Sequence, residues 1–117
     1  MPSIGLYPAS RQERRYHVIF LHSVPDRPLS ARVIGLHAAH LAGLDGCGKL
    51  VMAGPLIERA GRLIVLRTGS AAEAMAIAEE DPLVREAYQT YELATWLMCN
   101  HENGYCPDIR SARQVSE

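Results

Sequence analysis

The stretch KLVMAGPLIERAGRLIVLRT, residues 49–68, contains two short apolar segments separated by a polar turn. The segments 49–56 and 61–68 are rich in aliphatic and β-branched residues, which favour strands. The link around Glu58 to Gly61 is short enough for a hairpin. This stretch therefore predicts two adjacent antiparallel strands in the middle of the chain.

Upstream of this hairpin, one strand and one helix are expected. The segment YHVIFLH, residues 16–22, is rich in aromatic and β-branched residues and predicts a strand. After the turn VPDRP, a helix is expected from near Leu29 to about Leu44, where Gly46 and Gly48 end it.

Downstream, Ser70 and Glu73 have the spacing of a capping box, which predicts a helix start. This helix should run through Ala78 and end before Pro82, because proline disfavours helical geometry in the residue ahead of it. A short helical turn at 83–88 and a last strand, TYELATWLM at 90–98, complete the pattern.

The order strand, helix, strand, strand, helix, strand predicts an α+β fold. This order of elements is typical of a ferredoxin-like βαββαβ sandwich, which has a four-stranded antiparallel sheet with two main helices on one face. We place this domain at residues 16–99, after an N-terminal extension (1–15) and before a C-terminal tail (100–117).

The predicted strands are apolar on both faces. In the first strand, Val18 and Phe20 point to one face while Ile19 and Leu21 point to the other. Since the helices cover only one face, we expect a homodimer packed sheet to sheet, with higher assembly left open. The alternative is a monomer whose N-terminal arm and tail cover that face.

Charge and composition exclude several partner classes. The 117 residues include 12 Lys and Arg, 13 Asp and Glu, one Phe and one Trp, with a formal net charge of -1. This composition lacks a basic patch or a stacking platform, so we predict no nucleic-acid partner. No apolar run is long enough for a bilayer, and the first residues lack a signal-peptide core, so we predict no membrane partner and a cytoplasmic location.

The cysteines do not predict a disulfide framework or a zinc site. There are three, Cys47, Cys99 and Cys106, without a CxxC pair, which is typical of a reducing compartment. Cys99, His101 and Cys106 lie close together, but a zinc site needs a fourth ligand at a recognisable spacing. We therefore expect no metal and no cofactor, and the motifs GxSxG and GxxxxGK[ST] are absent from the sequence.

Two histidines lie within the first predicted helix. At about 100° per residue, His40 falls near the centre of an apolar stripe and His37 on its shoulder; the stripe's other members are Leu29, Val33, Leu36 and Leu44. His40 should therefore point toward the sheet or a cleft beside it. A buried imidazole needs hydrogen-bond partners for its ring nitrogens.

Several motifs together resemble the YCII-related proteins. They are His40-Leu41 on the first helix, KLVMAGP at 49–55, Asp81-Pro82 after the second helix, and a final strand ending near Trp96. The resemblance covers about residues 16–98. It implies a ferredoxin-like fold that dimerises into an αβ barrel, with an active-site pair formed here by His40 and Asp81.

The chain departs from the family three residues before His40. The family usually has an arginine at that position, where this chain has His37. If the position binds an anionic substrate group, His37 would do so only when protonated. The candidate substrate-binding residues are His37, His22 and Gly54-Pro55. His22 lies at the end of the first strand, and at Gly54-Pro55 the backbone can approach a ligand.

The expected chemistry is that of an oriented imidazole. An aspartate that accepts from one ring nitrogen fixes the tautomer and leaves the other nitrogen for proton transfer. Structural explanations remain open: Asp81 before Pro82 is a natural helix N-cap, and His40 alone fits a hydrogen-bonded core histidine. A metal held by His37 and His40, with Asp81 or His22 as third ligand, is a further alternative.

The sequence thus predicts a small homodimeric acid/base catalyst of the lyase or isomerase type. His40 would act as acid and base, Asp81 would orient it, and the ligand would be a small cyclic or enolisable metabolite. No serine, cysteine or lysine stands beside His40 in the sequence as a nucleophile. The alternative is therefore a non-catalytic module for small-molecule binding or dimerisation.

Overall fold

The computed structural model describes residues 15–105. Four strands form one antiparallel sheet in the order β2-β3-β1-β4, and three helices accompany it. The elements are β1 (Arg15–Ser23), α1 (Ala31–Gly46), β2 (Leu50–Pro55), β3 (Arg62–Leu66), α2 (Ala71–Glu80), α3 (Pro82–Arg85) and β4 (Gln89–Leu97). The predicted ferredoxin-like α+β fold is confirmed, and the short turn expected at 83–88 is helix α3.

Side chains that accept backbone N–H groups fix the helix starts. The Ser30 hydroxyl accepts from the Val33 N–H at the start of α1. At α2, the Ser70 hydroxyl accepts from the Glu73 N–H, as predicted, but the Glu73 carboxylate accepts from the N–H of Gly69 rather than of Ser70. Each contact satisfies a donor that the helix itself leaves unpaired.

The core lies between one face of the sheet and the helices. Alternate strand residues contribute to it, because successive side chains point to opposite faces. Its buried members are Ile19, Leu21, Ile64 and Leu66 from β1 and β3, Val33 and Leu44 from α1, Ala74, Ile77 and Ala78 from α2, and Leu83 from α3.

The opposite face of the sheet is also apolar. Val18 lies across from Val65 and Phe20 across from Leu63 in the β1–β3 register, one residue out of step with the core positions. Met52 of β2 lies across from Val65 and is 61% exposed. The two-faced strands predicted from the sequence are therefore present.

Gly61 closes the predicted β2–β3 hairpin. The Leu56 N–H donates to the Gly61 carbonyl at 2.9 Å. Gly61 has a φ of 124°, and a Cβ at this position would lie 2.9 Å from the Leu21 carbonyl oxygen. Glycine is required at this position both by the backbone conformation and by the close approach of β1.

His17–Thr95 form one compact unit, and the remaining described residues, 15–16 and 96–105, belong to a second. In the second unit, His101–Asn103 form a 3₁₀ helix whose start is capped by the Asn100 side chain. The predicted extension lies outside the described residues except for Arg15, and the predicted tail lies outside them beyond Tyr105. Within residues 15–105, no helix has both the length and the apolar character that a membrane crossing requires.

Candidate functional site

A buried histidine–aspartate pair joins α1 to the junction between α2 and α3. The Nδ1 atom of His37 lies 2.8 Å from Oδ2 and 3.0 Å from Oδ1 of Asp81. His37 is 2% exposed and Asp81 is 0% exposed. A buried ionisable pair with this geometry is the most distinctive polar feature of the helical layer.

Asp81 is held in place by a second, local interaction. Its Oδ1 accepts from the Leu83 N–H at 2.9 Å, so the carboxylate caps α3 as the sequence predicted, with Pro82 in the first helical turn. Its backbone carbonyl accepts from the N–H groups of Val84 and Arg85. Capping and histidine binding are therefore simultaneous, because the carboxylate has two oxygens and room for several donors.

This contact assigns the tautomer of His37. An ionised carboxylate only accepts hydrogen bonds, so the proton on the facing nitrogen belongs to His37 Nδ1. In the neutral ring, Nε2 then carries the lone pair and can accept a proton. Asp81 therefore orients His37 as an Nε2 base.

The predicted partner of Asp81 was the wrong histidine. The sequence placed His40 opposite Asp81, whereas the structure places His37 there, one turn earlier on α1. The buried residues of α1 are Val33, His37 and Leu44, while Leu36 is exposed and His40 half-buried. The helix is thus rotated toward His37, about 60° from His40, because α3 and its cap Asp81 pack on that side.

His40 has an unusual environment of its own. Its Nε2 atom is buried and has no hydrogen-bond partner among residues 15–105. Buried imidazole nitrogens normally have a partner, since leaving one unmatched costs about 1–3 kcal/mol. His40 is therefore not paired with Asp81. It is also not a core histidine whose ring nitrogens both find hydrogen-bond partners within the described residues.

Sequence reasoning missed two further polar residues. Arg62 Nε and Gln89 Oε1 are buried and lack hydrogen-bond partners within the described part of the chain. Both are first residues of strands. The apolar residues that follow them indicate strands, but that pattern does not show whether a polar side chain at the first position is buried.

The other predicted binding residues do not join the His37–Asp81 pair. His22 Nε2 lies 2.7 Å from Glu92 Oε1, and His22 shares the sheet face of Val18, opposite the helices. Gly54 lies across from Leu63 on that same outer face, while Pro55 lies across from Arg62. Of this set, only His37 takes part in the site.

The described chain contains no cluster of metal ligands. Among residues 15–105, no three His, Cys, Asp or Glu side chains come together in an arrangement that could hold a metal ion. Cys47 and Cys99 are free and exposed. Cys106, the third member of the sequence cluster with His101, lies outside the described residues.

The pKa shifts belong to ion pairs and hydrogen bonds outside the His37–Asp81 pair. The hydrogen bond from Lys49, 2.6 Å away, and that from the Gly69 N–H lower the pKa of Glu73 below its usual 4.5. The hydrogen bond from Tyr91 to Glu79 raises the pKa of the Tyr91 hydroxyl. Neither contact includes His37 or Asp81.

The fold is similar to that of a solved enzyme. The structure of 5-chloro-2-hydroxyhydroquinone dehydrochlorinase from Burkholderia phenoliruptrix, in complex with 2,5-dihydroxybenzoquinone, matches with a TM-score of 0.57 and 22% identity. The match covers 74% of this chain and 97% of that one. At this identity the likeness shows a shared fold. No family model and no curated protein matches the sequence.

Proposed function

We propose that this protein is a small acid/base enzyme of the YCII-related type, in which His37, oriented by Asp81, is the proton-transferring group. The observation that carries the proposal is the buried hydrogen bond of 2.8 Å between His37 Nδ1 and Asp81 Oδ2. Positioned imidazoles of this kind contribute about 10²–10⁴-fold to proton transfers. The catalytic histidine is thus reassigned from His40 to His37, and Asp81 keeps its predicted orienting role.

His40 is the second residue of the proposed site. It is three residues from His37, so the two rings lie on adjoining turns of α1. Its Nε2, which has no partner among the described residues, supplies one hydrogen bond to the ligand, as donor or acceptor according to its tautomer. His40 therefore binds the substrate beside the base.

The proposed substrate is a small, ring-hydroxylated or otherwise enolisable compound. The structural neighbour is named for acting on a chlorinated hydroxyhydroquinone, which belongs to this class. In such a dehydrochlorination a base takes a proton, the C–Cl bond breaks, and chloride leaves with the bonding electron pair. One poised base meets the main demand of this reaction, and the His37–Asp81 pair would supply it.

The proposed assembly is a homodimer formed through the outer face of the sheet. Val18, Phe20, Leu63 and Val65 place apolar side chains on that face, and Met52 extends it at the β2 edge. Burying apolar area contributes roughly 25 cal/mol per Å². The alternative cover, by the N-terminal arm and the tail, involves residues outside the described part of the chain.

A second candidate function is ligand binding without catalysis. It is favoured by one observation: His40, whose buried Nε2 has no partner within residues 15–105, is not the ring that Asp81 orients. In this case the His37–Asp81 pair ties α1 to α3, and His40 alone contacts the ligand.

Turnover of 5-chloro-2-hydroxyhydroquinone, followed by chloride release, tests the first candidate. The unsubstituted protein should release chloride, and His37→Gln should reduce kcat by 10²-fold or more, the range for a lost general base. Exposed His101→Gln is the matched control and should retain the parent rate.

Undiminished turnover in His37→Gln would contradict the assignment. Binding without turnover in the unsubstituted protein would favour the second candidate.

A further inference from the structure

Two strand residues bear buried polar atoms that the described chain leaves unmatched. Arg62 Nε, at the start of β3, and Gln89 Oε1, at the start of β4, have no hydrogen-bond partner among residues 15–105. Gln89 is 3% exposed. Native proteins match nearly all such atoms, and the exceptions point to strain, function or an unseen partner.

Arg62 points toward the helical side of the sheet. Its Cα lies across from that of Leu21, a core residue of β1. It precedes the core residue Ile64 by two positions, and residues two apart on a strand share a face. No carboxylate within residues 15–105 forms an ion pair with it. Arg62 is half-buried, and its Nε–H is a buried donor on the helical side of the sheet that has no partner among residues 15–105.

Gln89 points to the same side, at the same end of the sheet. It precedes Tyr91 by two positions, and Tyr91 packs against the core cluster. The Val24 N–H donates to the Tyr88 carbonyl at 3.3 Å, which holds the start of β4 beside the end of β1. Arg62 and Gln89 therefore flank the C-terminal end of β1 from its two neighbouring strands.

This end of the sheet is close in sequence to the elements that carry the proposed site. Helix α3 leads from its cap, Asp81, through three residues to Gln89. Helix α1, which carries His37, follows the C-terminal end of β1. The hydrogen bond between His37 and Asp81 joins α1 to the start of α3.

We propose that Arg62 and Gln89 form the subsite that recognises an anionic oxygen of the ligand, which rests on the proposed function at His37. Arg62 Nε–H is permanently a donor and belongs to a permanent cation, so its natural partner is a carboxylate or a deprotonated ring hydroxyl. Gln89 Oε1 accepts from a hydroxyl on the same ligand. Arg62 thereby fills the anion-binding role that the sequence suggests for His37, since Asp81 already engages His37.

The test uses two anions of different source and one neutral ring. Isothermal titration calorimetry with 2,5-dihydroxybenzoquinone, which carries deprotonated ring oxygens at neutral pH, should show binding to the unsubstituted protein, and the same measurement with benzoate tests whether a carboxylate is also accepted. Arg62→Met should weaken the binding of the recognised anion by roughly tenfold or more, as expected for a lost hydrogen bond to a charged group. Phenol, a neutral ring, should show no such dependence on Arg62.

The choice of anion identifies the source of the charge. Binding of the quinone alone indicates an enolate-type oxygen, and binding of both probes indicates that a carboxylate is also accepted. Arg59→Met, an exposed residue of the β2–β3 hairpin, is the matched control for loss of charge and should bind as the parent does. Gln89→Leu should weaken the binding of phenol, the one probe that keeps a hydroxyl at neutral pH, more than that of benzoate.

Two results would overturn the subsite. One is an unsubstituted protein that binds neither anion, and the other is equal anion affinity in Arg62→Met and the parent.

The melting temperature provides a measurement without ligand. If the buried Nε–H of Arg62 has no partner in the folded protein, Arg62→Met should melt no lower than the parent. A fall of several degrees would show that Arg62 has a structural partner. Because these readouts do not involve proton transfer, they can fail while His37-dependent turnover persists, and the reverse also holds.

Discussion

The Asp81 carboxylate binds His37 Nδ1 through Oδ2 at 2.8 Å while its Oδ1 accepts the Leu83 N–H at 2.9 Å. One buried side chain thus links α1, the end of α2 and the start of α3. The same contact determines the tautomer of His37 and the position of the short helix. Structure and proposed chemistry therefore depend on a single residue.

Replacing Asp81 by Ala should be strongly destabilising, and replacing it by Asn should be milder. Ala removes the helix cap and leaves His37 Nδ1 buried without a partner, a combined loss of about 2–4 kcal/mol. Asn retains a capping oxygen for the Leu83 N–H. Urea unfolding of both variants measures the difference, and equal losses would show that the cap contributes little.

The two histidines of α1 should respond in opposite ways to replacement by leucine. His37→Leu leaves the buried Asp81 carboxylate with one partner fewer, which should cost about 2–4 kcal/mol. His40→Leu removes a buried nitrogen that has no partner within the described residues, so its unfolding free energy should be unchanged or up to about 1 kcal/mol higher. A large loss of stability in His40→Leu would mean that this ring has a structural partner.

The ionised Glu73 carboxylate should contribute to the free energy of unfolding at neutral pH, and this contribution should disappear in acid. Its folded pKa lies below its ordinary 4.5, first because Lys49 donates a hydrogen bond to it and second because the Gly69 N–H does. A carboxyl with a lowered folded pKa stabilises the protein above its unfolded pKa, and the benefit is lost as pH falls through the folded value. The parent should therefore exceed Glu73→Gln in unfolding free energy at neutral pH and lose that margin below about pH 4.5.

Lys49→Met provides the control for this pH effect. Without the lysine donor, the stability lost on replacing Glu73 by Gln should be smaller at neutral pH than it is in the parent. Unfolding curves of the parent and the variants, recorded between neutral and acidic pH, measure this difference in unfolding free energy. A loss that is the same at every pH would contradict the role of the Lys49–Glu73 pair.

The proposed dimer should be sensitive to a charge on the outer sheet face. Met52 is 61% exposed and lies across from Val65, so Met52→Lys should leave the folded monomer intact but place a charge in the interface. Light scattering should then report a dimer for the parent and a shift to monomer for Met52→Lys. Ile57→Lys, at an exposed site in the hairpin, is the matched control and should remain dimeric. A monomeric parent would contradict the assembly.

Elements and their order could be predicted because local signals agree with the fold. The Ser70–Glu73 cap, the break before Pro82 and the apolar segments of β2 and β3 each marked a boundary within a few residues of the structure. The N-cap role of Asp81 followed from the same local chemistry. These signals involve neighbouring residues only, so a single sequence contains them.

The identity of the paired histidine could not be predicted in this way. Periodicity gives the angle between His37 and His40, about 60°, but the rotation of α1 about its axis depends on how α3 packs beside it. Arg62 and Gln89 were missed for a related reason. Whether a buried polar atom finds a partner depends on residues from other strands and helices, which a strand pattern does not reveal.

The central claim is that Asp81 holds His37 as the Nδ1–H tautomer with Nε2 free to accept a proton. Long-range ¹H–¹⁵N NMR of the His37 ring, assigned with His37→Gln, measures this directly. In the neutral ring of the parent, Nδ1 should give a protonated-nitrogen signal and Nε2 a lone-pair signal, and Asp81→Asn should shift the proton toward Nε2. A parent ring protonated at Nε2, or a tautomer that Asp81→Asn leaves unchanged, would contradict the account.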